Sequence, residues 1–300
     1  MDKVVGVVGI GIMGTAMARN LRQAGFMVVG YDPVPAACAR LQETGGQVLS
    51  SPRAVAEAAP IILMSLPNAG ALTDTISGAD GIAGAAGTGQ IVIECSTLPM
   101  DIKRAALDAM EKGGKILLDC PISGTGAQAV NKDLVILGSG DKAAFDRCAD
   151  IFAGMSRVQH YLGPFGHGSV MKYIANHLVT IHNVAAAEAM VLGMKAGIDP
   201  GVVYNTLADS AGTSRMFQMR GPLMRDENYD VPTATIRMQL KDISIIDAFA
   251  ADLDCALPVY AAASQIYHAG AALGRREQDT AAVCAVLETM HGFDRKKPAS

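Results

Sequence analysis

Lys172 stands in a stretch, Ser169 to about Ala196, that has no proline and no interior glycine before Gly193, and that reads as one long helix. A lysine at a helix start is ordinarily a solvated charge. Two features argue for a reactive amine here. The spacing places Lys172 in the first turn, where a cation opposes the helix macrodipole. Its neighbours Val170, Met171, Tyr173 and Ile174 are apolar. Dipole and desolvation both lower a lysine pKa, which makes the amine a usable general acid or base. Asn176 follows one turn later on the same face.

A second group of residues offers phosphate chemistry. Gly9-Ile10-Gly11-Ile12-Met13-Gly14 follows the apolar run Val4 to Val8 and opens a stretch with Met13, Met17 and Leu21 on one helical face. Gly25 stands where a helix C′ residue belongs, and a second strand, Phe26 to Tyr31, leads to Asp32. Together these make a βαβ dinucleotide fingerprint. Gly9 permits the tight turn, Gly11 lets the backbone approach a pyrophosphate, and Gly14 lets the helix pack closely. Asp32 is placed to accept hydrogen bonds from ribose hydroxyls and to repel a 2′-phosphate, which favours NAD over NADP. The next residue is Pro33, so no arginine directly follows to welcome that phosphate. The bland alternative is a glycine turn in some other α/β sheet.

A third segment, Asp119-Cys120-Pro121-Ile122-Ser123-Gly124-Thr125-Gly126, follows a strand and supplies a hydroxyl and backbone N–H groups. Such a loop can hold a carboxylate, or be an ordinary turn. Other signals are weaker. His177 and His182 are five apart and off one helical face, so they read as packing or surface histidines, and no metal is expected. Arg215 lies between two helices, in reach of a carboxylate or simply at the surface.

These residues must be positioned by their elements. Up to about residue 160, apolar runs at 61–67, 90–96, 115–121 and 134–138 alternate with helical stretches such as Met100 to Lys112. That rhythm predicts an α/β, doubly wound, mostly parallel sheet. Ligands in such sheets bind beyond the carboxyl ends of strands, which marks Pro67-Asn68, Ser96-Thr97 and Pro121 to Gly126 as site walls. After Gly168 the chain reads as all-α, including 233–252, 258–273 and 278–291. The expected domains are 1–165, which binds the dinucleotide, and 166–300, helical. Only the basic end Arg295-Lys296-Lys297 reads as frayed.

Composition bounds the rest. The 300 residues are half hydrophobic, without tryptophan, and carry a net charge of −4. No basic stripe exists, so nucleic acid and anionic membrane are poor partners. Six scattered cysteines without a CxxC pair suggest buried free thiols in a reducing compartment. No signal-peptide pattern opens the chain, so a cytoplasmic location is expected.

The motifs together resemble the β-hydroxyacid dehydrogenase family, which includes 3-hydroxyisobutyrate dehydrogenase and tartronate semialdehyde reductase. The matching residues are the GIGIMG turn, Leu66-Pro67-Asn68, Ser96-Thr97, Asp119 to Gly124, Gly168 to Lys172 with Asn176, and Leu240-Lys241-Asp242. The resemblance implies a Rossmann-like domain, a long interdomain helix and a helical C-terminal domain that joins a homodimer or homotetramer. It implies Lys172 as catalytic acid/base and Asn176 as the residue that orients substrate. Ser123 and Gly124, with Thr125, match the substrate-carboxylate loop. Thr97 and Lys241 match cofactor contacts, and Leu66 and Pro67 lie along the nicotinamide half. The family usually has glycine where Thr125 stands, so that side chain must point away or narrow the pocket. The expected reaction is hydride transfer between NAD and a small 3-hydroxy acid. Its rivals are a 6-phosphogluconate dehydrogenase-like oxidative decarboxylase and a non-catalytic dinucleotide-binding relative.

Overall fold

A computed structural model of the chain describes residues 3–295. It divides into two compact units, one running to Lys172 and one beginning at Tyr173, so the division falls inside a helix. In the first unit, strands and helices alternate as β1 (Val4–Val8), α1 (Ile12–Gln23), β2 (Met27–Tyr31), α2 (Pro35–Glu43), β3 (Gln47–Val48), α3 (Pro52–Ala58), β4 (Ile61–Met64), α4 (Ala69–Ser77), β5 (Ile91–Glu94), α5 (Met100–Lys112) and β6 (Ile116–Asp119). The six strands form one parallel sheet in the order β3-β2-β1-β4-β5-β6. This is the doubly wound, Rossmann-like order, with the switch point between β1 and β4.

Successive residues of each central strand enter opposite cores. Val5 and Val7 pack with Met17, Leu21 and Leu41 on one face. Val8, Ile62 and Met64 pack with Val55, Leu72 and Met110 on the other. Both faces are dry, which is why these runs are apolar without alternation. Truncating a fully buried member such as Leu63 to alanine is expected to cost about 2–5 kcal/mol.

The run at 134–138 departs from the single-sheet expectation. The chain leaves β6 and builds a separate three-stranded sheet from β7 (Ile122–Ser123), β8 (Val135–Gly138) and β9 (Val158–Tyr161), in the order β7-β8-β9. The physical reason is Cys120-Pro121: proline has no N–H to continue a parallel ladder, and β7 turns back antiparallel to β8. Three short helices, α6 (Gly126–Val130), α7 (Lys142–Arg147) and α8 (Ala149–Met155), connect this sheet. A single antiparallel bridge, Asp119 with Ser139, ties it to the end of β6.

Helix α9 runs from His167 to Lys195, about 43 Å at 1.5 Å per residue. It starts two residues earlier than expected, because Gly166 already accepts the Val170 N–H at 2.9 Å. Lys172 is therefore in the second turn, beyond the stretch where the dipole acts most strongly. The second unit continues with α10 (Pro200–Ala208), α11 (Arg215–Arg225), α12 (Ile236–Ala251), α13 (Pro258–Ala272) and α14 (Val283–Met290). Arg295 is not frayed: its Nε donates to Glu288 Oε1 at 2.8 Å. Lys296 and Lys297 lie outside the described residues. Among the described residues no helix is long and apolar enough to cross a membrane.

Candidate active site

The turn between β1 and α1 has the form a dinucleotide needs. Gly9 holds φ +84°, and a Cβ there would strike the Ser65 carbonyl at the end of β4. At Gly14 a Cβ would strike the Gly9 carbonyl, so only glycine lets α1 start this close. Gly11 differs, since nothing lies within 4 Å of its Cβ position. Gly11 is the N-cap of α1, no side chain caps it, and the first turn holds no acidic residue. Ile10 is buried, Ile12 is 80% exposed and Met13 half-buried. The uncapped N–H groups beside open space fit a pyrophosphate.

Both oxygens of Asp32 are held by backbone. Oδ2 accepts the Ile10 N–H at 2.7 Å and Oδ1 the Val34 N–H at 2.8 Å. The carboxylate is thus fixed between the glycine turn and the start of α2. One neighbour was not foreseen: Arg40 Nη2 donates to the Ile10 carbonyl at 3.2 Å. No arginine directly follows Asp32, yet one reaches the fingerprint turn from α2.

The ends of β4 and β5 are linked. Ser96 Oγ accepts the Leu66 N–H at 2.8 Å, and the Ser96 N–H donates to Glu94 Oε1 at 2.8 Å. This brings Leu66 and Pro67, on one strand end, beside Thr97, which follows Ser96 on the next; Leu66 and Thr97 are half-buried and Pro67 is exposed.

At the end of β6 is a buried cluster of Glu94, Lys103 and Asp119, of which only Asp119 belongs to a sequence motif. Lys103 Nζ lies 2.6 Å from Glu94 Oε2 and 2.7 Å from Asp119 Oδ1, with all three side chains at zero exposure. Burial by itself lowers the Lys103 pKa, but the charges and hydrogen bonds of Asp119 and Glu94 outweigh it and hold the amine above its ordinary value. Asp119 also accepts the N–H of Ser169 on Oδ2 at 2.8 Å and the Ser169 hydroxyl on Oδ1 at 2.7 Å. The Gly168 N–H donates to Ser139 Oγ at 2.9 Å, and a Cβ at Gly168 would meet the Asp119 carbonyl and the Pro121 ring. The start of α9 is therefore seated on the strand end that leads to Ser123. Charges inside the apolar runs ending at Glu94 and Asp119 were the available signal, because a buried charge demands a partner.

Ser123 is half-buried on β7, and Gly124 follows at φ +144°, where any side chain is strained and a Cβ would meet Leu134. Thr125 caps α6. Its N–H donates to Gln128 Oε1 at 3.0 Å and its hydroxyl to the same atom at 3.3 Å. The hydroxyl is turned towards the helix start, which accounts for threonine at this position.

Lys172 is half-buried on α9, three residues after Ser169. In the second unit, buried Asn176 donates from Nδ2 to Asp242 Oδ2 at 2.7 Å, and Lys241 Nζ lies 3.0 Å from Asp242 Oδ1. His177 stacks on Tyr260 with ring centroids 5.0 Å apart, and burial followed by the His182 charge lowers its pKa. Arg215 is exposed at the first residue of α11. Among the described residues no group of three or more His, Cys, Asp or Glu could hold a metal. The cysteines are free, but Cys255 is exposed and Cys38 half-exposed, so the thiols are not all buried as expected.

Residues 4–163 match a family described as the NAD binding domain of 6-phosphogluconate dehydrogenase. Residues 166–287 match one described as the NAD-binding region of NADP-dependent 3-hydroxyisobutyrate dehydrogenase. The chain is 32% identical over 288 residues to the L-threonate dehydrogenase of Cupriavidus necator, covering 96% of this chain and 97% of that protein. It is 30% identical over 296 residues to the mitochondrial 3-hydroxyisobutyrate dehydrogenase of Homo sapiens, covering 96% and 88%. The crystal structure of a 3-hydroxyisobutyrate dehydrogenase from Salmonella typhimurium superposes with a TM-score of 0.86 at 29% identity, covering 95% of this chain and all of that one. The chain belongs to the β-hydroxyacid dehydrogenase family. It is an oxidoreductase of the hydroxyacid dehydrogenase type with an NAD(P)-binding domain.

Proposed function

We propose that the chain transfers a hydride between NAD and a small 3-hydroxy acid, or its semialdehyde or keto form, with Lys172 as the general acid/base. The observation that carries this reading is the seating of the first turn of α9 on the end of β6. One strand end thereby organises both the helix bearing Lys172 and the loop bearing Ser123. The nicotinamide, when bound, supplies the hydride acceptor or donor. The N–H groups of Gly11, Ile12 and Met13 hold the pyrophosphate, Asp32 takes the adenosine ribose hydroxyls, and Thr97, Lys241, Leu66 and Pro67 complete the cofactor site. Ser123 and the Gly124 and Thr125 backbone bind the substrate carboxylate. Lys172 Nζ takes the hydroxyl proton during oxidation and returns it during reduction, while Asn176 orients the substrate.

Residues 1–165 bind the dinucleotide in this reading. Residues 166–300 form a helical substrate and oligomerisation domain of a cytoplasmic homodimer or homotetramer. The names of relatives support the substrate class: L-threonate, 3-hydroxyisobutyrate and 2-(hydroxymethyl)glutarate dehydrogenases. The test is a panel of 3-hydroxy acids and short sugar acids with NAD⁺, read by NADH absorbance, with CO₂ release followed in parallel. Turnover of at least one acid without CO₂ is expected. Obligatory CO₂ release, or no turnover of any acid by enzyme that binds NADH, contradicts it.

A further inference from the structure

We infer that Asp119 is a positioning residue for Lys172, and that the buried Glu94–Lys103–Asp119 cluster exists to hold the first turn of α9 in one place. This rests on the reading of Lys172 given above.

Glu94, Lys103, Asp119, Ser139 and Ser169 all have zero exposure. Water therefore competes for none of their interactions. Two carboxylates against one ammonium leave a net negative charge, and a buried charge of that kind requires further donors. The donors come from α9 and its flank. Asp119 accepts from the backbone and the hydroxyl of Ser169 at 2.8 and 2.7 Å, and from Ser139 Oγ at 3.2 Å. Excess negative charge thus meets the N-terminal, partly positive end of the helix, the favourable polarity.

The geometry is also overdetermined. Lys103 on α5 ties Asp119 to Glu94, so the ends of β5 and β6 cannot shift independently. The Asp119 and Ser139 backbones exchange N–H···O bonds of 3.0 and 2.8 Å, and Ser139 Oγ accepts the Gly168 N–H at 2.9 Å. Two consecutive residues of α9 are thus fixed, and Lys172 follows Ser169 by three positions, nearly one turn. A rigid helix carries that placement to the lysine. Asp119 itself is fully buried and acts on the reaction through α9.

The test compares Asp119→Asn, Ser169→Ala and Lys172→Ala. Turnover is expressed per NADH-binding site, counted by NADH fluorescence titration, so that misfolded enzyme does not contribute. D119N keeps the shape but loses the charge, and S169A deletes one hydroxyl donor. For D119N, kcat and the single-turnover hydride-transfer rate are expected to fall together about 10–100-fold, the scale of small misplacements of a catalytic group. S169A loses less in the same direction, and the KM for NAD⁺ is unchanged in both. A solely structural role would reduce the number of binding sites and leave turnover per site intact. Wild-type turnover per site in S169A and D119N, with K172A inactive, overturns the inference alone. Full turnover in K172A overturns the reading of Lys172 beneath it. If D119N yields no folded protein, S169A decides.

Discussion

Asp119 and Ser169 stand fifty positions apart and are joined twice, the backbone N–H of Ser169 to Oδ2 at 2.8 Å and its hydroxyl to Oδ1 at 2.7 Å. The pairing couples the last residue of β6 to the first turn of the helix that bears Lys172. Behind it, Lys103 bridges Asp119 to Glu94.

Lys103→Met leaves two buried carboxylates without their cation. Breaking a buried pair in this way typically costs about 3–5 kcal/mol, so urea unfolding is expected to show a loss on that scale. The pH dependence has a definite sign. The carboxylates raise the folded-state pKa of Lys103 above its ordinary value. A raised lysine contributes its full stability below the unfolded-state pKa and loses it only as pH rises through the folded one. Over about pH 7 to 9 the Lys103 contribution is therefore fully retained, and the wild-type advantage over K103M is expected not to fall. A decline across that interval contradicts the assignment.

Thr125→Ala removes the hydroxyl that donates to Gln128 at the start of α6. Loss of such a cap is worth about 1 kcal/mol, visible as a small fall in Tm. Because the hydroxyl is engaged there, the KM for the hydroxy acid is expected to stay the same. A large drop in KM means instead that Thr125 narrows the substrate pocket.

Asp32→Ala tests cofactor choice. Wild-type enzyme is expected to show the higher kcat/KM with NAD⁺, and the variant to lose efficiency with NAD⁺ while the NADP⁺ to NAD⁺ ratio rises. Arg40, on the Ile10 carbonyl at 3.2 Å, adds the positive charge that makes such a reversal measurable. Equal or better wild-type efficiency with NADP⁺ contradicts the role given to Asp32.

The thiols separate by burial. Cys255 is exposed, whereas burial pushes Cys148 and Cys284 up to about 12 and protects them as neutral thiols. A thiol reagent at neutral pH should label Cys255 first and reach Cys148 and Cys284 only on unfolding, as mass spectrometry of digests will show. Labelling of Cys148 in folded protein at the rate of Cys255 contradicts that order.

What could be read from the chain follows from where the signal is local. Val4 to Val8, the glycine turn and α1 are contiguous and strongly patterned, so the fingerprint and the doubly wound sheet were legible. Edge strands were not: β3 has only two residues, and β9, Val158-Gln159-His160-Tyr161, is polar at its centre and partly exposed. The departure at Cys120-Pro121 was visible as a proline but not as the start of a second sheet, which depends on pairing with distant Val135 and Ile136. Lys172, Asn176 and Ser123 stood out through their motifs. The Asp119 cluster did not, because its partners come from residues 16, 20 and 50 positions away. Arg40 was missed for the same reason, since adjacency to Asp32 was the wrong measure for an arginine on the next helix.

The acid/base role of Lys172 is tested by steady-state turnover of Lys172→Ala beside NADH binding to the same protein, using the best hydroxy acid from the panel. Wild-type NADH affinity is expected, with a kcat lower by about 100-fold or more, the contribution of a positioned acid/base. Near wild-type turnover in that variant contradicts that role.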